Sequence, residues 1–128
     1  LRTAVLINGG AAIALLAFIS NLASSDNVPL GKLADVAASL EFFAWGVAVG
    51  TLAIAFAYFT NYSMAGYANS YDRTFVHPYV VKSESTPKWR RANIAIHVVT
   101  VLIGLGSLAL FICGMLSVGE SIYRLGVG

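Results

Sequence analysis

One histidine lies inside an otherwise apolar run of this chain. The stretch WRRANIAIHVVTVLIGLG contains His97, whose ring could ligate a haem iron or the magnesium of a chlorophyll-type pigment. A haem held by two histidines needs a second ring at the same depth, but the only other histidine, His77, stands in a polar stretch. Met64, a ligand for a His/Met pair, lies about a turn beyond the end of its apolar run. The simpler interpretation is that His97 hydrogen-bonds Asn8 or a tyrosine.

Further polar side chains lie in or beside apolar runs, among them Asn8, Glu41, Asn61 and Asn93. In a lipid environment such groups are the first candidates for function. The asparagines and His97 fall near the same ends of their runs, so we expect hydrogen bonds among them, worth about 0.6 to 2 kcal/mol each. Glu41 precedes the apolar residues from Phe42 to Phe59, which nearly suffice to cross a bilayer. Its carboxylate can therefore reach the headgroups, and a proton-carrying role at the membrane centre is not predicted.

The sequence shows no catalytic or metal-binding pattern. It contains no nucleophile with a matching base and acid, no phosphate-cradling loop, and no His/Cys/Asp/Glu cluster with ligand spacing. The single cysteine, Cys113, lies in an apolar run, can form no internal disulfide, and is interpreted as a packing residue. We therefore expect neither an enzyme nor a metal site, and no resident cofactor unless His97 holds a haem or pigment.

The composition is typical of a membrane protein. Of the 128 residues, 58% are hydrophobic and 11% are charged, with a mean hydropathy of +0.76. Soluble domains carry about 25% charged residues, so this chain lacks the polar surface to cover a core in water. The net charge of +2 is too small to indicate nucleic acid. The expected partners are membrane lipids and other membrane-protein subunits or further copies of this chain.

Three apolar stretches are long enough to cross a hydrocarbon core of about 30 Å, which takes roughly 20 helical residues. They cover approximately residues 3–23, 36–60 and 92–118, and the second continues toward residue 68. The short alternating segments of a membrane barrel are absent from the sequence. The predicted fold class is all-α, an integral membrane bundle of three transmembrane helices forming one domain over residues 1–128. Pro29 and Gly31 mark a turn in the first connection.

Positive charge is distributed unevenly between the two connections. The loop over about residues 67–91 carries five basic residues: Arg73, Lys82, Lys88, Arg90 and Arg91. The positive-inside rule places this loop in the cytoplasm. With three spans, the N-terminus and Arg2 then lie on the same cytoplasmic side, and the C-terminus is periplasmic in a bacterial inner membrane.

Aromatic and basic side chains gather where the second run ends and the third begins. Trp89 stands there among tyrosines, as amphipathic rings do at headgroup level, and Arg90 and Arg91 follow at the expected depth of the lipid phosphates. Interface anchoring explains the two arginines, and binding of a phosphate or an acidic lipid is the alternative. The sequence STPKW predicts a helix start, with Thr86 as the cap and Pro87 at the first helical position.

Small residues recur at helical spacing in each run, where they allow helix backbones to approach closely. The clearest stripe is in the second run; the residues expected to pack are Gly9, Gly10, Gly46, Gly50, Ala53 and Gly106. In the third run the stripe continues from Gly106 through Ala109, Cys113 and Ser117. We expect these stripes to meet within the monomer. The alternative is that the stripe of the second helix joins copies of this chain or contacts a partner.

The combination of LINGGAAIALLAFISNL, FFAWGVAVGTLAIAFAYFTNY and WRRANIAIHVVTVLIGLGSLALFICG resembles a group of small, uncharacterised three-span inner-membrane proteins of proteobacteria. The resemblance covers most of the chain and implies no catalytic residues. In that group a polar helical segment often precedes the first span. The first apolar run begins almost at Leu1, so we expect upstream residues here as well, and not a cleaved signal peptide.

These observations favour a non-catalytic accessory or structural subunit that packs against a larger bacterial membrane complex, respiratory or photosynthetic. An alternative is a homo-oligomeric pore or membrane effector assembled through Gly46 and Gly50. A second alternative is a haem- or pigment-binding membrane subunit that uses His97.

Overall fold

The structure is a computed structural model that describes residues 1–24 and 30–126. Three long helices dominate it: α1 (Arg2–Ala23), α2 (Leu30–Asn69) and α3 (Thr86–Gly126). Between α2 and α3 lie two short antiparallel strands, β1 (Tyr71–Arg73) and β2 (Val80–Lys82). The predicted all-α class with three transmembrane helices is confirmed.

All three helices have the length and apolarity to cross a membrane. Their most apolar windows have mean hydropathies of 2.0, 1.8 and 2.4, yet only 11%, 22% and 17% of those windows is buried within the structure. Apolar surface exposed on this scale needs lipid around it, since transfer to water is unfavourable. The chain is a multi-pass membrane protein.

The described residues group into two compact units. The first, the three-helix unit, comprises Leu1–Thr51 and Gly104–Gly128, so it contains α1, the first part of α2 and the last part of α3. The second, the two-helix unit, comprises Leu52–Ile103, with the remaining parts of α2 and α3 and both strands.

The three-helix unit has a small apolar core formed by one large ring and its neighbours. Phe43, 1% exposed, packs with Leu15 and Val36 and meets Phe111 edge-on at a centroid distance of 5.9 Å. The Phe43 ring lies where a Cβ at Gly114 would stand, 2.7 Å from the nearest ring carbon. A bulky phenylalanine on one helix thus fills the space left by a glycine on another.

A seven-residue repeat runs along α3 and supplies its contacts within each unit. Its members are Thr86, Asn93, Thr100, Ser107, Gly114 and Ser121, all buried or partly buried. A further partly buried row, three residues after each of the first five, completes the 3-4 spacing of a coiled-coil seam. On α2 the buried positions 36, 39, 43, 46, 50 and 53 have the same spacing. Small and hydroxyl side chains at these positions allow close helix packing in lipid.

In the two-helix unit, the two strands form a short antiparallel sheet that joins α2 to α3. Tyr71 pairs with Lys82, Asp72 with Val81, and Arg73 with Val80. The peptide bond between His77 and Pro78, in the turn between the strands, is cis.

The helices extend beyond the predicted spans at several ends. Residues 3–23 match α1, but residues 36–60 and 92–118 lie inside the longer α2 and α3. The predicted 67–91 loop therefore contains two helix ends and a sheet. Gly31 lies in α2, not in a turn, and Pro29 is outside the described residues.

The predicted start of α3 was wrong in one detail. Ser85, and not Thr86, caps the helix, because its carbonyl oxygen accepts from the N–H groups of Lys88 and Trp89, both at 3.1 Å. Thr86 is the first helical residue and Pro87 the second, a position whose N–H has no partner within the helix in any case.

Candidate functional site

The polar residues of the three-helix unit are used to join its helices. Asn8 is fully buried on α1, and its Nδ2 donates to the carbonyl oxygens of Ala4 at 2.9 Å and Ser107 at 3.3 Å. The Ser107 hydroxyl in turn donates to the Gly46 carbonyl oxygen at 2.7 Å. One asparagine and one serine therefore connect all three helices.

The Asn8 amide occupies the space that a side chain at Gly46 would need. A Cβ at this position would stand 2.0 Å from the Asn8 Oδ1 atom. Since a Cα–Cβ bond is about 1.5 Å long, Oδ1 lies within about 3.5 Å of the Gly46 Cα, the range of a Cα–H···O contact. Oδ1 has no conventional donor among the described residues, so this weak contact is what it has. The Asn8 and Gly46 positions form one structural contact between α1 and α2.

The other predicted packing residues are placed as follows. A Cβ at Gly50 would meet the Ser107 Oγ and a Val5 methyl group, both at 3.0 Å, so Gly50 is packed inside the three-helix unit. Gly9 and Gly106 have ordinary contacts, at 3.9 Å from Val47 and Val49, whereas Gly10 is exposed with nothing within 4 Å. Ala53 is fully buried.

The predicted network among the asparagines and His97 was wrong. Asn93 donates instead to the Thr60 carbonyl oxygen at 3.3 Å and to the Ser63 hydroxyl at 3.1 Å, across the two-helix unit. Asn61 and His97 are exposed. Within the described residues neither has a hydrogen-bond partner.

The residues considered for a cofactor do not come together as a ligand set. His97 is exposed on the apolar part of α3, and Met64 is exposed on α2. His77 lies in the turn between the strands, where its ring meets Tyr79 at 5.9 Å. Over residues 1–24 and 30–126 there is no group of three or more His, Cys, Asp or Glu that could hold a metal ion.

An exposed acidic face lies on α2 in the three-helix unit. Glu41, Ala44, Trp45 and Ala48 follow at i, i+3, i+4 and i+7, so they share one side of the helix. They line a shallow groove of about 290 Å³, and Trp45 is 64% exposed. We call this surface the Glu41 face.

A basic cavity of about 260 Å³ lies in the two-helix unit, at the junction of α2, β2 and α3. Three cations line it: Lys82 from β2, and Arg90 and Arg91 from the first turns of α3. Tyr67 and Ile94 complete its polar and apolar sides, with Thr86 and Pro87 at the helix start. The sequence indicated the two arginines as candidates for anion binding, but it did not indicate that Lys82 and Tyr67 lie beside them. The sheet brings Lys82 to this place.

Two contacts, one of them buried, hold the walls of the basic cavity. Thr86 donates from its hydroxyl to the Ser70 carbonyl oxygen at 2.7 Å, and both residues are buried, at 2% and 6% exposure. Trp89 packs its ring against Gly66, where a Cβ would come within 2.4 Å, and meets Tyr62 edge-on at 6.3 Å. The end of α2 is thereby fixed against the start of α3.

A pair of tyrosines stands at the cavity. The Tyr67 and Tyr71 hydroxyl oxygens are 2.7 Å apart. The hydrogen bond to Tyr67 raises the pKa of Tyr71 above its ordinary value, while the positive charge of Arg90 opposes that shift. Both groups therefore act on the same phenol, which stays protonated at neutral pH.

The comparisons with known proteins identify no relative: no protein-family model, no curated protein and no solved structure matches this chain. The interpretation of its function depends on the geometry of the two surfaces, the Glu41 face and the basic cavity.

Proposed function

We propose that this chain is a non-catalytic accessory subunit that packs against a larger complex of a bacterial inner membrane, of the respiratory or photosynthetic kind. The observation that carries the proposal is the Glu41 face, where a carboxylate, an exposed indole and two small residues share one side of α2.

The chemistry of this face fits another transmembrane helix. Ala44 and Ala48 form a small-xxx-small pair, which lets a second backbone approach closely. The Trp45 ring offers a large surface beside that groove. Glu41 has no salt bridge among the described residues, and a carboxylate at the edge of the hydrocarbon favours a cationic partner. The expected partner is a helix with a lysine or arginine at the depth of Glu41.

The glycines of α2 are less suited to such a contact. Gly46 and Gly50 are already packed against Asn8, Val5 and Ser107 inside the three-helix unit. A partner helix therefore uses the Glu41 face, on a different side of α2.

Site-specific photo-crosslinking tests the proposal. A benzoylphenylalanine placed at Trp45 in the native host should give one discrete adduct, whose crosslinked peptide is a transmembrane segment with a basic residue. Glu41→Lys should abolish that adduct. The matched control is the same probe at Ala109, which is exposed on α3 and should give lipid or diffuse adducts.

Three outcomes contradict the subunit proposal. The first is the same adduct from both positions, and the second is no protein adduct at Trp45. The third is an adduct with a second copy of this chain, which supports the homo-oligomeric alternative instead.

The proposed orientation places the strands in the cytoplasm and the C-terminus in the periplasm, because the basic residues concentrate around the strands. Phe75, in the turn between the strands, is fully exposed. In a Cys113→Ser background, Phe75→Cys should resist a membrane-impermeant maleimide in intact spheroplasts and react after lysis. Labelling before lysis contradicts the orientation.

A further inference from the structure

The three cations of the basic cavity have no acidic partner. Within the described residues the one salt bridge joins Arg124 and Glu120, so Lys82, Arg90 and Arg91 have no carboxylate within salt-bridge distance. Positive charges of this kind at one concave site repel one another unless an anion enters. The cavity is therefore better suited to a bound anion than to an empty state.

The register of the two strands places Lys82 on the same face of the sheet as Tyr71. Tyr71 and Lys82 are cross-strand partners, so their side chains share one face of the sheet. Asp72, which follows Tyr71 in the chain, pairs with Val81 and lies on the opposite face. A short sheet thus brings Lys82 beside the tyrosine pair and turns the carboxylate of Asp72 away.

The tyrosine pair leaves one hydrogen-bond donor for a ligand. Two phenols have two protons, and the contact between the Tyr67 and Tyr71 oxygens uses one of them. Either oxygen can be the donor in this contact. With Tyr71 donating, the proton of Tyr67, which lines the cavity, can bond an anionic oxygen.

The N-terminus of α3 adds a favourable dipole but few donors. The N–H groups of Thr86, Lys88 and Trp89 already bond backbone oxygens, and Pro87 has none. The anion must therefore be held mainly by side chains, with the positive end of the helix dipole as a weaker aid.

The surroundings of the cavity favour a lipid as the source of the anion. Ile94 and Pro87 form an apolar wall next to the charges, and the Trp89–Tyr62 contact on the same helices is typical of the headgroup level. The volume of about 260 Å³ lies just below the range of small-molecule pockets, about 300 to 1,000 Å³. It suits a headgroup whose acyl chains lie outside.

We propose that this cavity binds the phosphate group of an anionic phospholipid, with Lys82, Arg90 and Arg91 neutralising the charge and the Tyr67 hydroxyl donating to a phosphate oxygen. Such a site differs from general anchoring at the interface, because it selects a headgroup and saturates with one lipid.

Calorimetric titration of the full chain in a non-ionic detergent tests this. Short-chain phosphatidylglycerol should bind with saturation near one lipid per chain, and short-chain phosphatidylcholine should bind far more weakly. Lys82→Gln and Arg90→Gln should each weaken phosphatidylglycerol binding about fivefold, the effect of removing one surface cation. Tyr67→Phe should weaken it to a smaller extent.

Lys88→Gln is the matched control, because Lys88 lies on the same helical turns but outside the cavity. It should change affinity less than twofold. An effect equal to that of Arg90→Gln means general anchoring and overturns the proposal, as does equal binding of both lipids.

Inorganic phosphate should not displace the lipid at millimolar concentration, and displacement overturns the assignment to lipid. Circular dichroism of each variant shows whether it folds, and a second substitution, Arg91→Gln, replaces any that does not.

Discussion

The two units of this protein use one repeat of α3 in different ways. In the three-helix unit, Ser107 and Gly114 bring helices together, and the amide of Asn8 donates to the Ser107 carbonyl oxygen. In the two-helix unit, Thr86 and Asn93 also tie helix to helix. Beside Thr86, however, the cations of the basic cavity have no acidic partner in the part of the chain that the structure describes.

The difference separates structural polar groups from candidates for binding. A buried polar group in lipid must find a partner, and one that finds it inside the protein stabilises the fold without offering chemistry to a ligand. Charges left unpaired at the interface retain that capacity. A polar residue in a membrane sequence is thus a functional candidate only after its partners are known.

The largest expected effect concerns the three-helix unit. Gly46→Ala should lower the free energy of unfolding by about 3 kcal/mol, because the new Cβ overlaps the Asn8 amide and forces a buried group to move. Gly10→Ala is the control, since nothing lies within 4 Å of its position, and it should be neutral or slightly stabilising. Unfolding in mixed micelles with added SDS, followed by circular dichroism, measures both. Equal effects would show that the Asn8–Gly46 contact is not what holds these helices.

A somewhat smaller effect is expected at the aromatic contact of the two-helix unit. Gly66→Ala should destabilise the protein by about 2 kcal/mol through displacement of the Trp89 ring, and it should also weaken phosphatidylglycerol binding, because Arg90 follows Trp89. Gly119→Ala, at a position with no neighbour within 4 Å, should change neither quantity. Destabilisation with unchanged lipid affinity would mean that the cavity does not depend on this contact.

The buried hydroxyl contact should have a measurable but modest coupling. The Ser70 hydroxyl also donates to the Thr86 hydroxyl at 3.2 Å. In a double-mutant cycle, Ser70→Ala and Thr86→Val should therefore couple by about 1 kcal/mol in unfolding, as hydrogen bonds between membrane helices do. The comparison cycle pairs Ser70→Ala with Thr74→Val, whose hydroxyl is exposed and bonds within its own turn. That cycle should give no coupling. Coupling of the same size in both cycles would contradict a specific interaction between Ser70 and Thr86.

The sequence predicted the three helices because their apolar runs match the thickness of a bilayer. It also indicated that α2 continues toward residue 68 and that α3 starts near Thr86, but it did not predict the start of α2 at Leu30 or the end of α3 at Gly126. The seam of α3 was predicted only in part: of Gly106, Ala109, Cys113 and Ser117, the first and last are partly buried, whereas Ala109 and Cys113 are exposed. The signal for the true seam was present as a small or polar residue at every seventh position.

The candidate sites illustrate the same limit. His97 drew attention because a lone imidazole in an apolar run is unusual, but its position between the seam residues leaves it exposed. Lys82 was one of five basic residues in a presumed loop, and nothing in its local sequence distinguishes it. Only the pairing of Lys82 with Tyr71 places it at the cavity, and strand register over three residues is weakly specified by sequence.

The smallest expected effect concerns the titration of Tyr71. Its pKa is raised by the hydrogen bond that it shares with Tyr67, so the folded state retains this proton at pH values where the unfolded chain has begun to lose it. The associated stability is complete below the unfolded pKa, near 10, and declines as pH rises from that value through the folded pKa.

Tyr67→Phe should lower the pKa of Tyr71, because the bond is lost while the charge of Arg90 remains. Tyrosine carbon shifts in NMR, assigned with Tyr71→Phe, measure this, with Tyr58→Phe as the control outside the pair. An unchanged Tyr71 titration in Tyr67→Phe would contradict the donor assignment on which the free Tyr67 proton depends.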